Sequence, residues 1–137
     1  MSGADICQLC VLVIDDQKTM RSIVRRMLKA IGVAAIVEAE SGERGLEYLT
    51  DPGARFPDVI ICDLHMENMD GLQFCNAVRR NEDLRNCGVP ILMLTGDHDR
   101  LLHEVSMQVG ALTVLTKPIN AEELGDQLTT AVGYAFT

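Results

Sequence analysis

Residues 58–71 read DVIICDLHMENMDG, and in them four consecutive apolar residues, Val59 to Cys62, run directly into Asp63. A short, uninterrupted apolar run rich in β-branched residues is the pattern of a strand covered on both faces, as in a parallel sheet. A carboxylate at the end of such a strand is fixed in position and offered to solvent at the rim of the sheet. The reading of the whole chain therefore turns on what stands at the ends of the other strands.

Similar runs occupy residues 11–14 (VLVI), 91–94 (ILML) and 112–115 (LTVL), with a weaker one at 35–39 (AIVEA). Amphipathic stretches separate them. Met20, Ile23, Val24, Met27, Leu28 and Ile31 fall on one helical face, and Gly32 is a suitable terminator. Further helices are predicted over 41–49, 71–79 and 100–109. A last one covers 121–133, with Asn120 as N-cap, Glu123 completing a capping-box pair, and Ile119 facing Leu124 as a hydrophobic staple. Five strands alternating with five helices, joined by right-handed crossovers, predict an α/β, doubly wound, five-stranded parallel sheet.

Such sheets carry their sites outside the carboxyl ends of the strands. The first strand ends in Asp15 and Asp16, the third in Asp63, the fourth in Thr95, and the fifth in Thr116, Lys117 and Pro118. Convergence of three carboxylates is costly, since two unit charges about 4 Å apart repel by roughly 4 kcal/mol at an effective dielectric of 20. A hard divalent cation offsets this, and Mg²⁺ is usually held by one or two carboxylates plus waters and phosphate oxygens. Lys117 adds a mobile positive charge suited to phosphate. A carboxylate, a metal and a lysine make a phosphoryl acceptor site. Read singly, Asp15 and Asp16 are ordinary helix caps and Lys117 an ordinary surface lysine; their conjunction at separate strand ends is what argues for function.

The composition bounds the alternatives. The chain has 137 residues, 47% of them hydrophobic and 23% charged, which predicts one globular domain over 1–137 with a core from about 10 to 134 and no output domain. A net charge of -8 opposes binding to a phosphate backbone, so no nucleic-acid partner is expected. The opening MSGADICQLC lacks the features of a signal peptide, and no apolar run reaches membrane-spanning length, which makes the cytoplasm the expected location. Cys7, Cys10, Cys62, Cys75 and Cys87 are read as reduced thiols; Cys7 and Cys10 have redox-motif spacing but precede the first strand.

The segments VLVIDDQKTMRSIVRRML, VIICDLHMENMDG, ILMLTG and VLTKPI resemble the receiver domain of two-component response regulators, of the single-domain CheY-like kind. The resemblance runs from about Val11 to Gly133. It implies strand order 2-1-3-4-5, Asp63 as phosphoacceptor, and a histidine kinase or histidine phosphotransfer protein as donor. It further implies Mg²⁺ held by Asp16, Asp63 and the backbone carbonyl of His65, with Asp15 acting through water. Thr95 and Lys117 would contact phosphoryl oxygens, and the bond from Lys117 to Pro118 would be cis. The implied output is binding of a downstream protein at the fourth helix, fifth strand and fifth helix, around residues 101–109, 112–115 and 122–134, by a monomer or weak dimer.

Four positions depart from the family pattern or bear on tuning. Val114 stands where the fifth strand usually has Tyr or Phe, which bears on the output switch. Glu67 replaces a common proline after Met66. His65 and Asp97, two residues beyond the acceptor and the threonine, occupy positions that govern water access in the family. The missing aromatic also leaves room for a phosphoryl sink or relay without an effector. A haloacid-dehalogenase-like phosphatase would need a second aspartate at position 65, and flavin binding would need a phosphate-cradling loop where Asp15 and Asp16 stand.

Overall fold

The computed structural model describes residues 6–135, with side chains through Gly133. The first five residues, read above for a leader, and the side chain of Tyr134, read as part of an output face, lie outside the described residues. A short 3-10 turn (Ile6–Gln8) leads into β1 (Cys10–Ile14), α1 (Lys18–Ala30), β2 (Ala35–Ala39), α2 (Gly42–Thr50) and β3 (Val59–Asp63). There follow α3 (Gly71–Arg80), β4 (Ile91–Thr95), α4 (Arg100–Val109), β5 (Thr113–Thr116) and α5 (Ala121–Ala135). All strand pairs are parallel and the order is β2-β1-β3-β4-β5. The predicted architecture and order are those observed.

The continuous apolar runs follow from two cores, one on each face of the sheet. Val11, Val13, Ile61, Leu92 and Leu94 point to α1 and α5, where Val24, Leu28, Leu124 and Leu128 meet them. Leu12, Ile14, Ile60, Cys62 and Met93 point the other way, to Leu49, Phe74 and Val78 of α2 and α3. Because side chains alternate along a strand, a strand packed on both faces has no position left for a polar residue. Cys10, Cys62 and Cys75 are buried as small hydrophobes, and burial pushes each thiol pKa up.

Of the two edge strands, β2 lies at the expected 35–39 and β5 differs from expectation. The fifth strand lies at Thr113–Thr116, one residue later than the run 112–115, and is half-buried throughout. Leu112 instead makes the lead-in, its N–H donating to the Ile91 carbonyl at 2.8 Å. An edge strand has one neighbour, here β4, and is only thinly roofed by α4, whose one buried residue is Ser106.

Helix ends are chemically explicit. Gly32, at φ 102°, ends α1: its N–H donates to the Lys29 carbonyl at 3.1 Å, and that of Val33 to Leu28 at 3.0 Å. Asp70 and Gln73 form a full capping box on α3. At α5, Asn120 accepts the Glu123 N–H at 2.8 Å, and Ile119 and Leu124 share the α1/α5 core as the staple requires.

Candidate functional site

β1 delivers Asp15 at its carboxyl end, 2% exposed, with one carboxylate oxygen accepting the Gln17 N–H at 2.8 Å. Its carbonyl accepts from Arg21 of α1 at 2.6 Å, so the turn after β1 is held from both sides. Neither Asp15 nor Asp16 caps α1; the N-cap is Gln17, which makes no side-chain capping bond. The ordinary structural explanation of this acidic pair therefore fails. Asp16 is exposed and accepts the Glu67 N–H at 3.1 Å, tying the pair to the loop after β3.

Asp63 is the last residue of β3 and 7% exposed. One oxygen lies 3.2 Å from the Lys117 ammonium. Asp15, Asp16 and Asp63 each bring a ligand oxygen within 4.8 Å of the others. Burial is the main cause that raises the pKa of Asp63, opposed by the charge and hydrogen bond of Lys117; burial likewise raises Asp15, opposed by the Gln17 N–H and reinforced by Asp63. Three carboxylates against one lysine leave two negative charges uncompensated when all are ionised (-3 + 1 = -2). This all-oxygen donor set, partly buried and short of positive charge, fits Mg²⁺.

Thr95 closes β4, fully buried, its hydroxyl accepting the Asp97 N–H at 3.0 Å. The Lys117 N–H donates to the Thr95 carbonyl at 2.7 Å, joining the ends of β4 and β5, and the bond from Lys117 to Pro118 is cis. His65 is exposed, 3.2 Å from the Asp97 carboxylate. The Asp99 N–H and then His65 lower the pKa of Asp97. Val114 is half-buried and packs on the α2/α3 side of the sheet. On α4, Leu101 and Met107 are exposed, 67% and 52%.

Sequence reading missed Gly71. A Cβ there would lie 2.8 Å from the Asp63 carbonyl oxygen, 2.9 Å from Leu64 Cα and 2.9 Å from Met93 Sδ. Its N–H donates to the Leu64 carbonyl at 2.8 Å, closing the loop that begins at the acceptor strand. The available signal was the D-G-x-Q stretch, Asp70 to Gln73, which combines a cap, a residue without a side chain and a capping-box glutamine.

A parallel sheet with three acidic side chains, a threonine and a lysine gathered at its carboxyl rim defines a receiver-type domain. Residues 11–129 match the family model of the response regulator receiver domain, and the chain belongs to that family. It is 34% identical over 114 residues to a probable chemotaxis protein CheY of Rhizobium etli, covering 83% of this chain and 84% of that one. It is also 35% identical over 122 residues to the sensor histidine kinase CheAY of Helicobacter pylori, covering 89% of this chain but 14% of that much longer protein. Among solved structures, chemotaxis protein CheY4 of Vibrio cholerae matches with TM-score 0.77 at 34% identity, over 90% of this chain and 98% of that one. A response regulator receiver domain protein from Clostridium thermocellum matches with TM-score 0.82 at 25% identity, over 93% and 97%. The chain is a CheY-like receiver domain of two-component signalling. Among the described residues no helix is long and apolar enough to cross a membrane.

Proposed function

We propose that Asp63 accepts a phosphoryl group from a phosphohistidine of a sensor histidine kinase or histidine phosphotransfer protein, and that the aspartyl phosphate changes binding to a downstream protein. An Asp63 carboxylate oxygen attacks phosphorus; the new O–P bond forms as the N–P bond breaks, and its electron pair returns to the donor imidazole. Asp16, Asp63 and the His65 carbonyl would hold Mg²⁺, and Asp15 would act through water. When bound, Mg²⁺ neutralises charge on the oxygens of the transferring group.

The chain's own groups do the rest. The end of β3 fixes the attacking oxygen, which lowers the entropy cost of in-line approach. Lys117 opposes the effect of burial on Asp63, favouring its ionised, nucleophilic form, and can follow the charge onto a phosphoryl oxygen. Thr95 supplies a hydroxyl donor to another. The observation that carries the reading is the 3.2 Å contact of Asp63 and Lys117 inside a group of three carboxylates.

The output would be protein binding at α4, β5 and α5, by a cytoplasmic protein that is monomeric or weakly dimeric. A second reading, a phosphoryl sink or relay without an effector, is favoured by the short side chain at Val114. Incubation with acetyl phosphate and Mg²⁺, followed by intact mass, tests the acceptor chemistry. One phosphoryl group should appear on wild type and none on Asp63→Asn or in EDTA; equal uptake by Asp63→Asn would refute it. Rapid loss of phosphate with no phosphorylation-dependent partner would select the sink.

A further inference from the structure

The loop after β3 is fixed by contacts that do not involve the acidic pair. The Gly71 N–H closes it onto the Leu64 carbonyl at 2.8 Å, and Asp70 and Gln73 cap the helix that follows. Asn68 takes φ 67°, and Met69 fills the space that Gly42 leaves open, where a Cβ would lie 2.7 Å from its Sδ. Held in this frame, the main-chain N–H of Glu67 donates to Asp16 Oδ2 at 3.1 Å. Among the described residues this is the one hydrogen bond that the Asp16 carboxylate makes.

Each carboxylate of the group is thus tied through a single oxygen. Asp15 accepts the Gln17 N–H at 2.8 Å, Asp63 accepts from Lys117 at 3.2 Å, and Asp16 accepts from Glu67. Asp15 and Asp63 are buried, so packing also restrains them, whereas Asp16 is exposed and would lose side-chain freedom on binding a metal. We propose that the main-chain N–H of Glu67 is the donor that positions Asp16 for the divalent cation, holding Oδ2 and leaving Oδ1 for the metal. The cation rests on the phosphoacceptor reading of this site; the hold on Asp16 does not. Proline, common at this position in the receiver pattern, has no N–H and could not make the bond. The contribution of Glu67 is therefore its backbone and not its carboxylate. Loss of a hydrogen bond behind a ligating group typically costs about 10–100-fold in metal affinity.

Two variants that lose the same charge isolate the amide. Glu67→Gln keeps the N–H and Glu67→Pro removes it; proline suits the negative φ there, since among the described residues Asn68 is the one non-glycine residue of positive φ. In calorimetric titration with MgCl₂, Glu67→Pro should bind Mg²⁺ about tenfold more weakly than Glu67→Gln. Agreement within about twofold, the usual result for independent sites, overturns the proposal. Tighter binding by Glu67→Pro overturns it too, because the N–H would then compete with the metal for Asp16. Phosphorylation by acetyl phosphate separates positioning from a distorted loop: the two variants should differ at limiting Mg²⁺ and agree at saturating Mg²⁺, and a deficit of Glu67→Pro that persists at saturation overturns the positioning role. Amide hydrogen exchange of wild type and Asp16→Ala in EDTA reads the contact without any metal. Exchange at Glu67, taken relative to Asn68, should be faster in Asp16→Ala, and an unchanged ratio overturns the hold on Asp16. If wild type binds no Mg²⁺, the phosphoacceptor reading fails, and the exchange comparison still decides the hold.

Discussion

Replacing Gly71 by alanine should destabilise the protein, although alanine is the better helix former. The added Cβ would sit 2.8 Å from the Asp63 carbonyl oxygen and 2.9 Å from Leu64 Cα, two backbone atoms that cannot rotate away, and 2.9 Å from the sulfur of fully buried Met93. Overpacking of this kind costs about 1–3 kcal/mol. The intrinsic preference of helices for alanine returns at most about 1 kcal/mol. A net loss of about 1–2 kcal/mol lowers Tm by roughly 3–8 °C for a chain of this size. Gly125→Ala in α5 is the matched control: its Cβ would meet Ile31 at 3.6 and 3.7 Å, ordinary contact distances. That substitution should stabilise by about 0.5–1 kcal/mol. Thermal unfolding followed by far-ultraviolet circular dichroism, without Mg²⁺, gives both values. Because the clash falls on the acceptor residue itself, Gly71→Ala should also slow phosphorylation of Asp63 by acetyl phosphate, which Gly125→Ala should not. Equal stabilisation by the two substitutions would refute the close approach of α3 to the end of β3.

In Mg²⁺-free buffer, Asp63→Asn should raise stability near pH 7 by about 1–2 kcal/mol, because carboxylates within 4.8 Å repel by about 3 kcal/mol at an effective dielectric of 20 and Lys117 offsets only part of this. The folded state raises the pKa of Asp63 and Asp15, so their charged forms cost stability at neutral pH. That cost is relieved as pH falls through the folded pKa values, so the advantage of Asp63→Asn in urea unfolding should shrink toward acid; a gap that widens would contradict the burial. Asp70→Ala removes the capping box of α3 and should cost about 1 kcal/mol in the same assay, with Asp83→Ala, outside any cap, near neutral. Arg79→Met should cost about 2–4 kcal/mol, since the guanidinium donates twice to the Gly110 carbonyl and once to Cys87 from a site where burial lowers its pKa. A loss below 0.5 kcal/mol, the usual bound for an exposed surface position, would show that water replaces those bonds.

Much of the architecture was legible because two-sided burial leaves a direct mark: residues 11–14, 59–62 and 91–94 are apolar throughout, and each is a central strand. The mark weakens at the edges, which is why the run 112–115 pointed one residue early and suggested full burial where β5 is only half-buried. Asp15, Asp16, Asp63, Thr95 and Lys117 were legible as a group because parallel topology carries every strand end to the same rim. The contacts around the group were not. His65 and Asp97 meet across 32 residues of sequence, and Asp97 reaches His103 through a backbone carbonyl, for which no side-chain pattern exists. The tightness at Gly71 is likewise a tertiary distance that a glycine in a helix-start motif does not disclose. The capping box of Asp70 and Gln73, by contrast, is a local sequence pattern that begins seven residues past Asp63.

The most direct measurement concerns the location of the phosphoryl group. Protein treated with acetyl phosphate and Mg²⁺ is reduced with borohydride, which converts an aspartyl phosphate to homoserine, and is then digested and sequenced by tandem mass spectrometry. Homoserine at position 63, with Asp15 and Asp16 unchanged and no conversion in EDTA, is the expected result. Conversion at Asp15 or Asp16, or phosphate retained on a residue that borohydride does not reduce, would contradict the assignment of Asp63 as the acceptor.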